Sequence, residues 1–236
     1  MRNGFRGIFF DMGGTLVFPD PVRISAAFAK YLNRKLTPAL CLEAVHAATI
    51  DLDRRLATPS EKPKDWWLQY FGAVADHCDQ KGTTAAEARL RAFEELREDH
   101  RTRNLWSYFV PGARDLLDWL ESKGIVTGII SNSDGRVKAQ LRTEGLLERF
   151  MVVLDSHVVG VEKPDAKIFE MALDAVGLAA GETLYIGDFI HIDGDGASRA
   201  GLSALIIDPL GKRADWGYPT VPSLEAVRGW IETAES

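Results

Sequence analysis

The chain has 236 residues, of which 46% are hydrophobic and 26% charged, fractions ordinary for a folded domain and incompatible with a collagen-like or low-complexity chain. Its 28 Lys and Arg are outweighed by 34 Asp and Glu, a formal charge of −6, which argues against a nucleic-acid-binding face. No run of about 18–20 apolar residues is present to span a bilayer. Met1-Arg2-Asn3-Gly4 lacks the tripartite form of a secretory signal, and two cysteines, Cys41 and Cys78, are too few for a disulfide framework or a zinc site. The expectation is a cytoplasmic protein, with one large domain or a large one and a smaller partner, and neither nucleic acid nor membrane among its partners.

In chain order, residues 7–11 (Gly-Ile-Phe-Phe-Asp) read as a short buried strand that ends in an acid. From about 20 to 103 the pattern is helical. Asp20-Pro21 has the form of an N-cap with proline at the first helical position, and Ile24, Ala27, Phe28, Tyr31 and Leu32 share a face. Thr37-Pro38 starts a second helix with Val45, Leu52 and Leu56. A third holds Trp66, Trp67, Tyr70 and Phe71, and Thr84 with Glu87 reads as a capping box for a fourth. Beyond 105 the pattern alternates. A helix opens at Pro111 and closes at Gly124, and the strand Ile125–Ile130 precedes a helix over about 136–148. The strand Met151–Leu154 and a helix from Asp165 to Val176 come next, the latter ended by Gly177. The strand Thr183–Ile186, a short helix near 195–200, the strand Ala204–Ile207 and a helix from about 223 complete the run.

This βαβα order predicts an α/β fold, a Rossmann-like, doubly wound parallel sheet with right-handed crossovers. The strand at 7–11 has no local partner and is assigned to the same sheet. The helical block is then an inserted all-α domain, with residues 1–16 and 106–236 forming the core and 17–105 the insert.

In such a sheet, ligands bind at the carboxyl ends of the strands. There this sequence places Asp11 with Met12-Gly13-Gly14-Thr15, then Ser131-Asn132-Ser133-Asp134, then Lys163-Pro164-Asp165, and Gly187-Asp188 with Asp193 five residues on. Three acids on one edge repel one another unless a cation sits among them, and oxygen ligands suit Mg²⁺. A lysine and a hydroxyl beside them point to an anionic substrate, and the set as a whole to phosphoryl transfer through an aspartyl-phosphate.

The motifs Asp11-x-x-Gly14-Thr15, Ser131-Asn132, Lys163-Pro164-Asp165 and Gly187-Asp188…Asp193-x-x-Gly196-Ala197 resemble those of the haloacid dehalogenase-like hydrolase superfamily, in the same order and across the whole chain. The helical insert resembles the cap of one of its subfamilies. The resemblance implies Asp11 as nucleophile and metal ligand, and the Gly13 carbonyl, Asp188 and Asp193 as further Mg²⁺ ligands. It implies Lys163 as the residue that neutralises phosphoryl oxygens and Asp11. Ser131, with Asn132 beside it, and Gly14 and Thr15 would contact a small phosphorylated substrate.

One departure matters. Phosphatases of this superfamily usually carry a second aspartate two residues after the nucleophile as general acid, and here that position is Gly13. The expected function is a Mg²⁺-dependent hydrolase of a small phosphorylated metabolite without that acid. The alternatives are dehalogenase- or phosphonatase-type hydrolysis and a non-catalytic phosphate- or metabolite-binding relative. Asp134 is balanced between capping the following helix and lining the pocket. His191 reads as a surface histidine, and the aromatic residues at 66–71 as core before substrate wall.

Overall fold

The computed structural model describes residues 4–32, 35–57, 65–79 and 85–234. Its elements are β1 (Gly7–Phe10), β2 (Val17–Pro19), α1 (Pro21–Leu32), α2 (Pro38–Leu56), α3 (Trp66–Cys78), α4 (Ala86–Arg103) and β3 (Trp106–Phe109). There follow α5 (Ala113–Ser122), β4 (Val126–Ser131), α6 (Val137–Thr143), β5 (Val152–Asp155), α7 (Ser156–Val159) and α8 (Ala166–Val176). The chain ends with β6 (Thr183–Gly187), α9 (Asp195–Arg199), β7 (Ser203–Ile207), β8 (Thr220–Val221) and α10 (Leu224–Ala234). It divides into two compact units, residues 1–16 with 109–236, and residues 17–108.

The first unit is built on a parallel sheet in the order β5-β4-β1-β6-β7-β8. β1 lies in its interior, pairing Gly7 with Val126 on one side and Thr183 on the other. All four residues of β1 are buried, as a parallel strand covered on both faces requires. This is the doubly wound α/β architecture expected from the sequence. On one face Phe9, Ile130, Val152 and Tyr185 pack with Ile168, Phe169, Ala172 and Leu173 of α8 and Ala197 of α9. The periodicity of α8 that places those four residues on one stripe is bounded as the sequence indicates. The Asp165 side chain accepts from Lys167 N at the start, and Gly177, at φ 68°, takes the left-handed position at the end.

The second unit contains α1–α4. Asp20 Oδ1 accepts from Val22 N and Arg23 N at 2.8 and 3.2 Å, and Thr37 caps α2 ahead of Pro38, so both helix starts fall where the sequence puts them. Cys41 and Cys78 are buried in α2 and α3 and not bridged. Among the described residues no helix is long and apolar enough to cross a membrane.

The structure corrects the sequence reading in several places. The segments near 16–20 and 103–110, to which the sequence assigns no strand, contain β2 and β3, which pair in a two-stranded sheet. With three and four residues they are too short to show an alternating pattern. The helix over 136–148 is broken at Gly145 (φ 66°) into α6 and a 3₁₀ turn at Leu147–Arg149. The helix assigned to Pro111 starts at Ala113, behind Gly112 at φ 79°. The fourth helix starts at Ala86 with no side-chain cap; Thr84, the expected cap, lies outside the described residues. Of the aromatic run, Tyr70 and Phe71 are buried while Trp66 is exposed. The short α7 and β8 carry no periodic signal long enough to be read.

A packing prediction follows from Gly128. A Cβ there would lie 2.6 Å from Val152 Cγ1 and 2.8 Å from Phe9 Cδ1, inside the interior of the sheet. Gly128→Ala is expected to cost about 1–3 kcal/mol by overpacking, seen as a fall of several degrees in a thermal melt; an unchanged melting temperature would show that Phe9 and Val152 can move aside.

Candidate active site

The carboxyl edge of the sheet gathers the polar residues because each strand stops there. Asp11 follows β1, and its N–H still donates to Ile186 O at 2.8 Å, extending the ladder with β6. Ser131 ends β4, Gly187 ends β6, and Asp188 follows it. The chain runs left from β1 to β4 and β5 and returns to β6, so the order reverses between β1 and β6, where an open α/β sheet has its crevice.

Two glycines bring the carboxylates close. Gly14 has φ 91°, and a Cβ on it would fall within the Asp188 carboxylate. A Cβ on Gly187 would fall on the Asp193 side chain. The left-handed backbone thus lies at Gly14 and not at Gly13, which is half-buried. A π-helical turn at Ile190–Gly194 carries Asp193 back to the strand end. There its Oδ2 accepts from Asp188 N and Phe189 N at 3.1 and 3.0 Å. Oxygens of Asp11, Asp188 and Asp193 lie within 4.8 Å of one another, the one such group of potential metal ligands among the described residues.

Lys163 is buried with them. Its ammonium donates to Asp11 Oδ1 at 2.5 Å, Asp193 Oδ1 at 2.7 Å and Tyr185 Oη at 2.8 Å. Its main chain is held by Asn132, whose amide Nδ2 donates to Lys163 O at 2.9 Å and whose Oδ1 accepts from Lys163 N at 2.8 Å. The Asn132 side chain therefore locks the loop that carries the lysine. Gly196 lets α9 approach that loop, since a Cβ there would meet Phe169 at 2.8 Å and Pro164 Cα at 3.1 Å. Ser131 is buried at the strand end, and Thr15 is buried with no partner for Oγ1.

Electrostatics follow from the crowding. Burial pushes Asp11 up to about 6; Lys163 opposes this, and Asp193 adds to it. Burial, then Asp11 and Asp193, hold Asp188 well above the ordinary carboxylate value, with Arg213 and Lys163 pulling the other way. Burial alone would lower Lys163, but Asp11 and Asp193 outweigh it and raise the ammonium above its usual value. Burial and the same two aspartates keep the Tyr185 phenol neutral, its pKa raised well above the ordinary value.

The structure thus brings Asp11, Gly14, Thr15, Ser131, Asn132, Lys163, Asp188 and Asp193 to one edge. It does not bring Asp134 into the cluster: this residue pairs with Arg136 at 2.9 Å. His191 bonds Asp195 at 3.0 Å, partly exposed.

Three residues were missed. Tyr185 reaches the cluster from within β6. Asp155, at the end of β5, accepts from Gly135 N, Val137 N and His157 N and so shapes the loop after Ser131. Arg213 is fully buried, pairs with Asp208 and donates to the main-chain carbonyls of Ile207 and Asp188. Asp155 carries the strand-then-acid signature of Asp11 and Asp188 and was readable on that ground. Tyr185 is a polar tip in an apolar strand, a weaker signal. Arg213 lies in a loop without a pattern.

Comparison with known proteins agrees with this geometry. A family model described as a haloacid dehalogenase-like hydrolase matches residues 5–201. The bovine haloacid dehalogenase-like hydrolase domain-containing protein 3 is 30% identical over 142 residues, 60% of this chain and 55% of that protein; the match thus spans little more than half of that relative's length. The phosphoserine phosphatase of Thermus thermophilus is 30% identical over 166 residues, 69% of this chain and 65% of that one. The crystal structure of a HAD phosphatase from Thermococcus onnurineus superposes with a TM-score of 0.59 at 22% identity, covering 96% of this chain and 97% of the other, and attests the fold alone. With the family model running from the strand that bears Asp11 to the helix beyond Asp193, the chain belongs to the haloacid dehalogenase-like hydrolases.

Proposed function

We propose that this chain is a Mg²⁺-dependent hydrolase of small phosphorylated metabolites, acting in the cytoplasm, with Asp11 as the residue that takes the phosphoryl group. The observation that carries the reading is the buried group of Asp11, Asp188 and Asp193 beside Lys163. Three carboxylates crowd beside one ammonium, and without a metal the site relieves the excess by raising the proton affinity of Asp11 and Asp188; a divalent cation would relieve it in place of those protons. An all-oxygen donor set fits Mg²⁺; Asp11, Asp188 and Asp193 with the Gly13 carbonyl would hold it. Bound there, a divalent ion supplies charge neutralisation to the phosphoryl oxygens and the carboxylate that approaches them.

The chain's own residues then divide the work. Asp11 attacks phosphorus, the bond to the leaving oxygen breaks, and water later cleaves the aspartyl-phosphate to restore the carboxylate. Lys163 keeps the Asp11 carboxylate oriented and offsets charge on the transferring group, while Asn132 keeps Lys163 in place. Ser131 and Thr15 offer hydroxyls to the phosphoryl oxygens, and the orphaned Thr15 Oγ1 supports this use. The helical insert of residues 17–105 is read as the cap that selects the substrate. The phosphoserine phosphatase among the relatives supports the substrate class.

Gly13 favours a second reading, cleavage of a carbon–halogen or carbon–phosphorus bond, which needs no acid at that position. The three carboxylates weigh against the halide branch.

The reading is tested with p-nitrophenyl phosphate. Hydrolysis is expected with Mg²⁺, abolished by EDTA, and reduced at least about 10³-fold in Asp11→Asn; turnover that survives chelation overturns it. Since Gly13 has no proton to give, aryl and acyl phosphates should be hydrolysed and alkyl phosphates poorly. Gly13→Asp, at a position without left-handed φ, is expected to raise alkyl-phosphate turnover by up to about 10²–10⁴-fold with a smaller gain on aryl esters. A folded variant with no such dependence on the leaving group would show that position 13 is not the missing acid.

Metal binding should also respond to pH. In the metal-free protein Asp11 titrates near 6, above its unfolded value, so its ionisation disfavours the folded state progressively as pH rises from about 4 through 6. Mg²⁺ must displace that proton. The rise in melting temperature on adding Mg²⁺ is therefore expected to be small at pH 5 and larger at pH 7.5; an equal shift at both would contradict the assignment of Asp11 as ligand.

A further inference from the structure

An ammonium has three N–H donors, and all three of Lys163 are committed: two to the carboxylates of Asp11 and Asp193, and the third to Tyr185 Oη at 2.8 Å. The first two acceptors belong to the acidic group. The third belongs to a side chain rooted in the sheet and is uncharged.

Tyr185 is placed by several independent contacts. It is fully buried in β6, in register with Phe9 of β1. Its ring stacks edge-on against Phe169 of α8 with centroids 5.0 Å apart. Gly128, in register with Phe9 on the next strand, presents no side chain, so this row of the sheet holds two aromatic rings without crowding. The hydroxyl reaches past β1 to Ile130 O of β4 at 3.0 Å, with Asp193 Oδ1 at 3.2 Å. Its single proton serves those two acceptors, which leaves the oxygen lone pairs to receive from Lys163. The Lys163 side chain lies along the same ring, its nitrogen 5.4 Å from the centroid. The lysine is thus held at both ends, its main chain by Asn132 and its ammonium by Tyr185.

We propose that Tyr185 is a positioning residue for Lys163: its hydroxyl, anchored on the Ile130 carbonyl, fixes the ammonium at the one point from which it reaches both Asp11 and Asp193. This rests on the reading of Asp11 as the residue that takes the phosphoryl group. A neutral acceptor suits the task, because a third carboxylate would add to the buried negative charge and an apolar residue would leave one N–H unmatched. Without the hydroxyl, the ammonium turns its free donor toward one carboxylate and loses alignment with the other. Misplacement on this scale affects the reacting geometry more than substrate capture.

The test is Tyr185→Phe, which keeps the ring on Phe169 and deletes only the hydroxyl, with Tyr185→Leu as the variant that deletes the ring as well. Two readouts are needed: the crystal structure of the Phe variant, and kcat and KM on p-nitrophenyl phosphate with Mg²⁺. The expected result is an ammonium moved out of hydrogen-bond reach of Asp11 or Asp193, with kcat down about 10–100-fold and KM within about twofold. Tyr185→Leu should melt lower than Tyr185→Phe yet lose no more kcat per folded molecule. An ammonium that keeps both carboxylate bonds in the Phe variant overturns the proposal, as does a displaced ammonium with unchanged kcat. A wild-type protein that hydrolyses no aryl phosphate defeats the hydrolase reading, and the position of the ammonium in the variant still decides the role of Tyr185.

Discussion

Like charges brought out of water set the terms for the rest of this molecule. Asp11, Asp188 and Asp193 each bring one oxygen within 4.8 Å of the others, and Lys163 bonds two of them directly. Arg213 donates to the Asp188 main-chain carbonyl and pairs with Asp208, and its charge partly offsets that of Asp188. The surroundings are arranged to keep this grouping intact. Gly14 and Gly187 yield the volume of a side chain to the carboxylates, and backbone N–H groups of Asp188 and Phe189 satisfy Asp193. Asn132 and Tyr185 fix the lysine. Each is a local choice that makes sense only with the charges in view.

The sheet supplies the frame. Parallel pairing aligns the carboxyl ends of β1, β4 and β6, so residues far apart in sequence arrive on one edge without any contact of their own to draw them together. The burial of β1 on both faces gives Asp11 a rigid base, which would suit the attacking role proposed for it, because the reacting geometry is then set before substrate arrives.

The alternation beyond residue 105 and the helical stretch before it were legible because their periods are sustained over many residues. Asp11 and Asp188 were legible as acids directly after strands, and Lys163 and Asp193 as charged residues in the loops beyond strand ends. What escaped depends on distance in space. The two bonds of Asn132 to the Lys163 main chain span 31 positions, so nothing in the local sequence announced its bracing role. Tyr185 looked like another apolar strand residue, since its hydroxyl acquires meaning only when β1, β4 and α8 are assembled around it. Arg213 has no periodic neighbour to mark it, and β2 and β3 are shorter than the patterns that reveal strands.

The insertion point also bears on how the chain folds. Val110 N donates to Leu16 O at 3.1 Å, so the chain leaves the first unit and re-enters it side by side. Before that contact forms, β1 is separated from β4 by the entire helical stretch, and Gly7 must find Val126 across it, a pairing of high contact order that slows nucleation. Helices α1–α4 contact one another across shorter separations, α1 with α2 and α4, and α2 with α3. An insert that formed first would turn the long connection into a short one and reduce the entropy of closing the loop onto the central strand. The segment that interrupts the sheet in sequence would then act as a clasp for its assembly.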